Sequence, residues 1–125
     1  MTTTITVCET CTAAGNKPPS QGDRDGSKLA DLITQAATGN HDVIIRRHAC
    51  LMGCDHGCNV ALQANGKLTY VMGRFTPAAE DAVGIVEYAT KHAESETGRV
   101  PFKQWPQAIK GHFIARIPVL ANSSE

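Results

Sequence analysis

The sequence predicts an α/β fold with its elements in the order β-α-β-β-β-α. Three observations predict it. Two short β-branched runs flank a stretch of helical periodicity, which is a β-α-β unit. Asn65-Gly66 sits between two further apolar runs and is a hairpin signal, since both residues tolerate positive φ. A long stretch with apolar residues at helical spacing then follows Thr76-Pro77.

Residues 2–7 alternate polar and β-branched side chains and read as a first strand ending at Cys8. Residues 13–26 are rich in Gly, Pro, Asn, Asp and Ser, so they read as a long loop, a length that in a compact domain signals function or motion. Ser27 is the expected N-cap of a first helix. Leu29, Leu32, Ile33, Ala36 and Ala37 line its inner face and Gly39 stops it. Residues 42–47 read as a second strand whose apolar centre suits burial on both faces, parallel to the first.

A short third strand is expected at residues 59–63 and a fourth at 68–72, broken by Gly73. Thr76 is the expected cap of the last helix, with Pro77 at its first position. Ala79, Ala82, Val83, Val86, Ala89 and Ala93 are read as its inner face, up to about Glu94. Beyond Gly98, a short helix is expected around 107–112 and an extended piece at 114–117. A parallel pair joined through a helix, with a hairpin beside it, is an α/β sandwich of thioredoxin-like type. Residues 1–98 form the metal- or cluster-binding domain in this reading, and 99–125 a C-terminal extension packing on it.

The chain has 125 residues, enough for one domain with one core. Its 42% hydrophobic and 19% charged composition is that of an ordinary globular protein. Basic and acidic side chains balance at 12 each, which gives no sign of a nucleic-acid or acidic-membrane partner. No signal peptide or membrane span is read, so the expected compartment is the cytoplasm, where clustered cysteines serve metals or redox chemistry more than structural disulfides.

The five cysteines fall in two clusters, Cys8-Glu9-Thr10-Cys11 and Cys50-Leu51-Met52-Gly53-Cys54-Asp55-His56-Gly57-Cys58. In the predicted topology both lie just beyond the carboxyl ends of neighbouring parallel strands, where open α/β sheets bind ligands. Three chemistries fit. A [2Fe–2S] cluster takes four thiolates, with Gly53 and Gly57 allowing backbone N–H groups to approach sulfur. A zinc site takes four Cys or His ligands, and His56 could complete a mixed set. A dithiol redox pair at Cys8 and Cys11 is the third, although the loop after Cys11 removes the helix N-terminus that would activate a thiol.

The run Cys50-Leu51-Met52-Gly53-Cys54, then Gly57, a short hairpin with Tyr70 and Gly73, and Thr76-Pro77-Ala78-Ala79-Glu80 resembles the thioredoxin-like [2Fe–2S] ferredoxins. Nearly the whole chain is similar to a family of small bacterial proteins described as predicted metal-binding, some associated with cobalamin biosynthesis genes. Shared features are V-C-x-x-C, C-x-x-G-C-x-x-x-C, G-K-x-x-Y-V-x-G, and a tail like Ala115-Arg116-Ile117-Pro118. The resemblance implies Cys8, Cys50 and Cys54 as ligands, Cys11 as the fourth and Cys58 as the spare or alternative. Two departures stand out. The ferredoxins carry a ligand in the long loop, where residues 13–26 have no cysteine, and Cys58 occupies a position usually held by proline.

The resulting expectation is a one-electron carrier with a [2Fe–2S] cluster rather than a catalyst, serving a redox partner protein that the sequence does not name. A zinc- or cobalt-binding protein or metallochaperone, and a thiol–disulfide oxidoreductase, are the alternatives. A homodimer is suggested by fold analogy. Arg46 and Arg47 could offset the charge of such a cluster or simply face solvent, while Glu9 and Asp55 would add negative charge. His56 and His48 read first as loop residues, and His41, His92 and His112 as surface residues. Tyr70 and Met72 read as packing residues, and Trp105 as an anchor for the C-terminal segment or a dimer contact.

Overall fold

A computed structural model of the chain describes residues 2–9, 25–49 and 58–119. Strands β1 (Thr3–Cys8), β2 (Val43–His48), β3 (Cys58–Gln63), β4 (Thr69–Phe75) and β5 (Phe113–Ile117) form one sheet in the order β2-β1-β3-β4-β5. The β1–β2 pair is parallel, as a crossover through helix α1 (Asp25–Ala36) requires, and all other pairs are antiparallel. Helix α2 (Ala79–Glu94) follows β4, and two short 3-10 turns (Phe102–Gln104 and Gln107–Ile109) lead into β5.

Alternation along the strands decides which sheet face is covered. Ile5 and Val7 of β1, Val60 and Leu62 of β3, and Met72 of β4 share one core with Leu29, Ala30 and Ile33 of α1 and Ile85, Tyr88 and Ala89 of α2. Both helices therefore lie against the same face. Gly84 lets the C-terminal segment join this core, because a Cβ there would come within 2.8 Å of the Ala108 Cβ.

Several local expectations change. Strand β2 is an edge strand, not one buried on both faces, and Ile44 is 55% exposed. The doubly covered strand is β1, flanked by β2 and β3. Helix α1 starts at Asp25, so Ser27 lies inside it. In the hairpin Gly66 takes φ +73 and Asn65 is not left-handed, and the connection runs from Gln63 to Thr69 rather than over two residues. Strand β4 continues through Gly73 to Phe75.

Thr76 does not cap α2. Its N–H and hydroxyl instead donate to the Asp81 carboxylate at 3.0 and 3.2 Å. The inner face of α2 includes Ala82, Val86, Ala89 and Ala93 as expected and widens to Ile85, Tyr88 and His92, whereas Ala79 and Val83 are exposed.

His92 is the clearest correction among the histidines. It is fully buried rather than on the surface. The Leu68 carbonyl, 2.6 Å from Nε2, can only accept, so Nε2 carries the proton and Nδ1 accepts from the Thr3 hydroxyl at 2.7 Å. Buried Lys67 donates from Nζ to the His92 carbonyl at 3.0 Å and to that of Ala93, closing the last turn of α2 with a cation. Gly98, at φ +89, completes this corner, because a Cβ would sit 2.8 Å from His92 Nε2. His112 is half-buried, stacked on Phe75 with ring centroids 4.3 Å apart, and His41 is exposed.

Candidate metal centre

Strand direction gathers the cysteine-bearing segments at one end of the sheet. Cys8 is the last residue of β1 and its register partner is His48, the last residue of β2. The Glu9 N–H donates to the His48 carbonyl at 3.0 Å, which holds the two strand ends together. Val7 pairs with Val60, so the start of β3 lies beside the end of β1. Cys58, the first residue of β3, is opposite Phe75, the last residue of β4.

Both helices begin here as well. The carboxylates of Asp25, at the start of α1, and Asp81, in the first turn of α2, lie close enough to Cys58 to act on its thiol. The positive ends of two helix dipoles therefore point toward this end of the sheet. The connections 10–24 and 50–57 leave from it and return to it. They contain Cys11, Cys50, Cys54, Asp55 and His56, all outside the described residues.

The two described cysteines are both fully buried but differ in orientation. Cys58 keeps the parity of Val60 and Leu62 and belongs to the helix-side core. Burial first, and then Asp25 and Asp81, push its thiol up to about 12, so it stays protonated at neutral pH. Cys8 has the opposite parity to Ile5 and Val7 and so belongs to the other sheet face. It is disulfide-bonded, and its partner lies outside the described residues.

The charged neighbours divide in the same way. Arg46 pairs in register with Thr6, shares the Cys8 face, and donates from Nε to the Thr6 hydroxyl at 3.2 Å. Arg47 turns toward α1, with its guanidinium 2.5 Å from the Asp31 carboxylate, and so is engaged away from the cysteines. His48 is exposed and Glu9 half-buried. Among the described residues, no three His, Cys, Asp or Glu side chains converge to hold a metal ion.

The burial of Cys58 and the part played by Asp25 and Asp81 were missed in the sequence. The signal for Cys58 was present: Cys58, Val60 and Leu62 recur with a period of two, the pattern of a strand whose first core residue is the cysteine. For Asp25 and Asp81 no local signal exists, because their proximity to Cys58 is created by packing.

Residues 5–119 match the family described as "Protein of unknown function (DUF1636)". The chain belongs to that family. No curated protein matches this DUF1636 chain. Among solved structures it is similar to a thioredoxin-like [2Fe–2S] ferredoxin from Aquifex aeolicus, at 17% identity over 92% of each chain with a TM-score of 0.54. At that identity the likeness shows the fold, and the expected thioredoxin-like α/β architecture is what the DUF1636 chain has. Among the described residues, no helix is long and apolar enough to cross a membrane.

Proposed function

We propose that the protein is a ferredoxin-like one-electron carrier whose [2Fe–2S] cluster is held by Cys8, Cys11, Cys50 and Cys54. The observation that carries this reading is the pairing of strand ends. Cys8 closes β1 in register with His48, and Cys50 follows His48 by two residues in the chain. The similarity in fold to a ferredoxin that binds such a cluster supports it.

A [2Fe–2S] centre takes four thiolates, and Cys8, Cys11, Cys50 and Cys54 supply that number once the Cys8 disulfide is reduced, with Cys58 left in the core. The bound group would supply a site that gains and loses one electron. The chain's own residues bury Cys8 and set the Arg46 charge on the Cys8 face. The same reading takes residues 1–98 as the cluster-binding unit, with 99–125 packed on it. It includes a protein redox partner, a cytoplasmic setting and a homodimer, the last by analogy with the ferredoxin fold.

A second reading has one observation in its favour. The disulfide at Cys8 is what a dithiol oxidoreductase would hold in its oxidised state. Against it, α1 spans Asp25–Ala36 and Asp25 lies well beyond Cys11 in the chain, whereas a helix N-terminus activates a thiol close to it.

The test is to purify the protein without oxygen, record its visible spectrum, and assay iron, acid-labile sulfide, zinc and cobalt. Two irons and two sulfides per chain, with a brown colour, are expected. A colourless protein with stoichiometric zinc, or a protein with cobalt, and no sulfide would replace the carrier with a metal-binding protein. A metal-free protein with a reversible Cys8 disulfide would favour the dithiol reading.

A further inference from the structure

A second concave site lies on the β5 side of the sheet. A cavity of about 580 Å³ opens between β5 and the segment that holds the first 3-10 turn. That volume suits a small molecule. Among its lining residues are Tyr70, Arg99, Phe102, Trp105, Phe113 and Arg116, and among the described residues no Asp or Glu lines it.

Its charge is one-sided. The chain as a whole is neutral, yet the charged residues among the described ones that line this cavity are two arginines, Arg99 and Arg116. Among the described residues neither pairs with a carboxylate; the ion pair found there is Arg47 with Asp31. Lys110 adds a third cation, its Nζ 4.9 Å from the centroid of the Phe102 ring. Arginine forks match carboxylate and phosphate groups with paired hydrogen bonds.

The walls are aromatic and held in place. Trp105 lies with its centroid 4.9 Å from that of Phe102 and 4.6 Å from that of Phe113. Its indole N–H donates to the Val100 carbonyl at 2.8 Å, which fixes the ring plane. Phe102 is 62% exposed, so its ring is open to a ligand in the cavity. Beneath them, the buried Tyr88 side chain sits beside Tyr70 and Arg116, both lining residues.

We propose that this cavity binds a small planar aromatic anion, its ring against Phe102 and Trp105 and its anionic group on Arg99 and Arg116. The site is separate from the cysteine end and does not depend on what the cysteines hold.

Trp105 is the chain's only tryptophan, so its fluorescence reports on the cavity directly. The test is to titrate the full-length protein with hydrocinnamate, its neutral amide, and phenyl phosphate. Both anions are expected to change the Trp105 emission saturably and to bind about tenfold more tightly than the amide. Whichever anion binds more tightly identifies the head group as carboxylate or phosphate. Arg99→Gln with Arg116→Gln is expected to reduce anion binding to the level of the amide without altering the melting curve. Arg99→Lys with Arg116→Lys is expected to recover part of it. Equal binding of anion and amide, anion binding that survives the glutamine pair, or no saturable change in emission would each overturn the proposal.

Discussion

The two ends of the sheet treat buried ionisable groups in opposite ways. At the end where β4 begins, Thr3, Lys67, Leu68 and His92 satisfy one another. Donors meet acceptors within the described core, and the result is a closed polar corner that fixes the C-terminus of α2. At the other end, Cys8 and Cys58 are equally buried, yet the disulfide partner of Cys8 comes from outside the described elements, and Cys58 is held as a neutral thiol. The first end is complete within its own strands and helix. The second adjoins the connections 10–24 and 50–57, and connections are where a fold often carries function.

That contrast can be broken first at the closed end. Lys67→Met removes both hydrogen bonds to the last carbonyls of α2, and about 2 kcal/mol of stability should be lost. Urea unfolding monitored by circular dichroism measures it. An unchanged midpoint would mean that the corner contributes nothing.

A smaller effect follows from pH. Burial, assisted by the Lys67 charge and opposed by the Leu68 carbonyl, lowers the His92 pKa from its ordinary value of 6.5. A base whose folded pKa is depressed stays neutral in the fold while the unfolded chain takes up a proton. Its contribution is thus fully present above 6.5 and is lost as the pH falls through the folded pKa. Stability should fall on acidification below 6.5, and His92→Gln should flatten that part of the profile. A profile unchanged by the substitution would remove His92 as its source.

The smallest effect belongs to Arg47. Its ion pair with Asp31 joins side chains that are 36% and 54% exposed, so Arg47→Ala should cost less than about 1 kcal/mol and weaken further in salt. Thermal melts at two ionic strengths test this. A large loss would mean that the β2–α1 contact matters more to the cysteine end than its exposure suggests.

Local pattern carried much of the architecture. The β-branched alternation of residues 2–7 located β1 and its end at Cys8, and the β-α-β order implied the parallel pair. What failed depended on distant partners. The α2 stripe was right at Ala82, Val86, Ala89 and Ala93, but it took in the exposed Ala79 and Val83 and left out Tyr88 and His92. Their burial comes from Phe113 and Trp105 far along the chain for one, and from Thr3, Lys67 and Leu68 for the other. The edge position of β2 was hidden because Val43-Ile44-Ile45 has the composition of a central strand, and only the strand order leaves Ile44 uncovered. For the site, the grouping of cysteines was legible from spacing. The orientation that separates Cys8 from Cys58 required the register of β3 against β4 and the approach of Asp25 and Asp81.

That separation is the central claim, and one paired measurement tests it. Cys8→Ser and Cys58→Ala are purified without oxygen beside the parent protein, and iron and acid-labile sulfide are counted per folded chain. Cys58→Ala should retain the parent stoichiometry and spectrum, with a stability loss of about 1–2 kcal/mol from the core space it leaves. Cys8→Ser should lose the centre while keeping the fold by circular dichroism. Retention of the centre in Cys8→Ser together with its loss in Cys58→Ala would contradict the account.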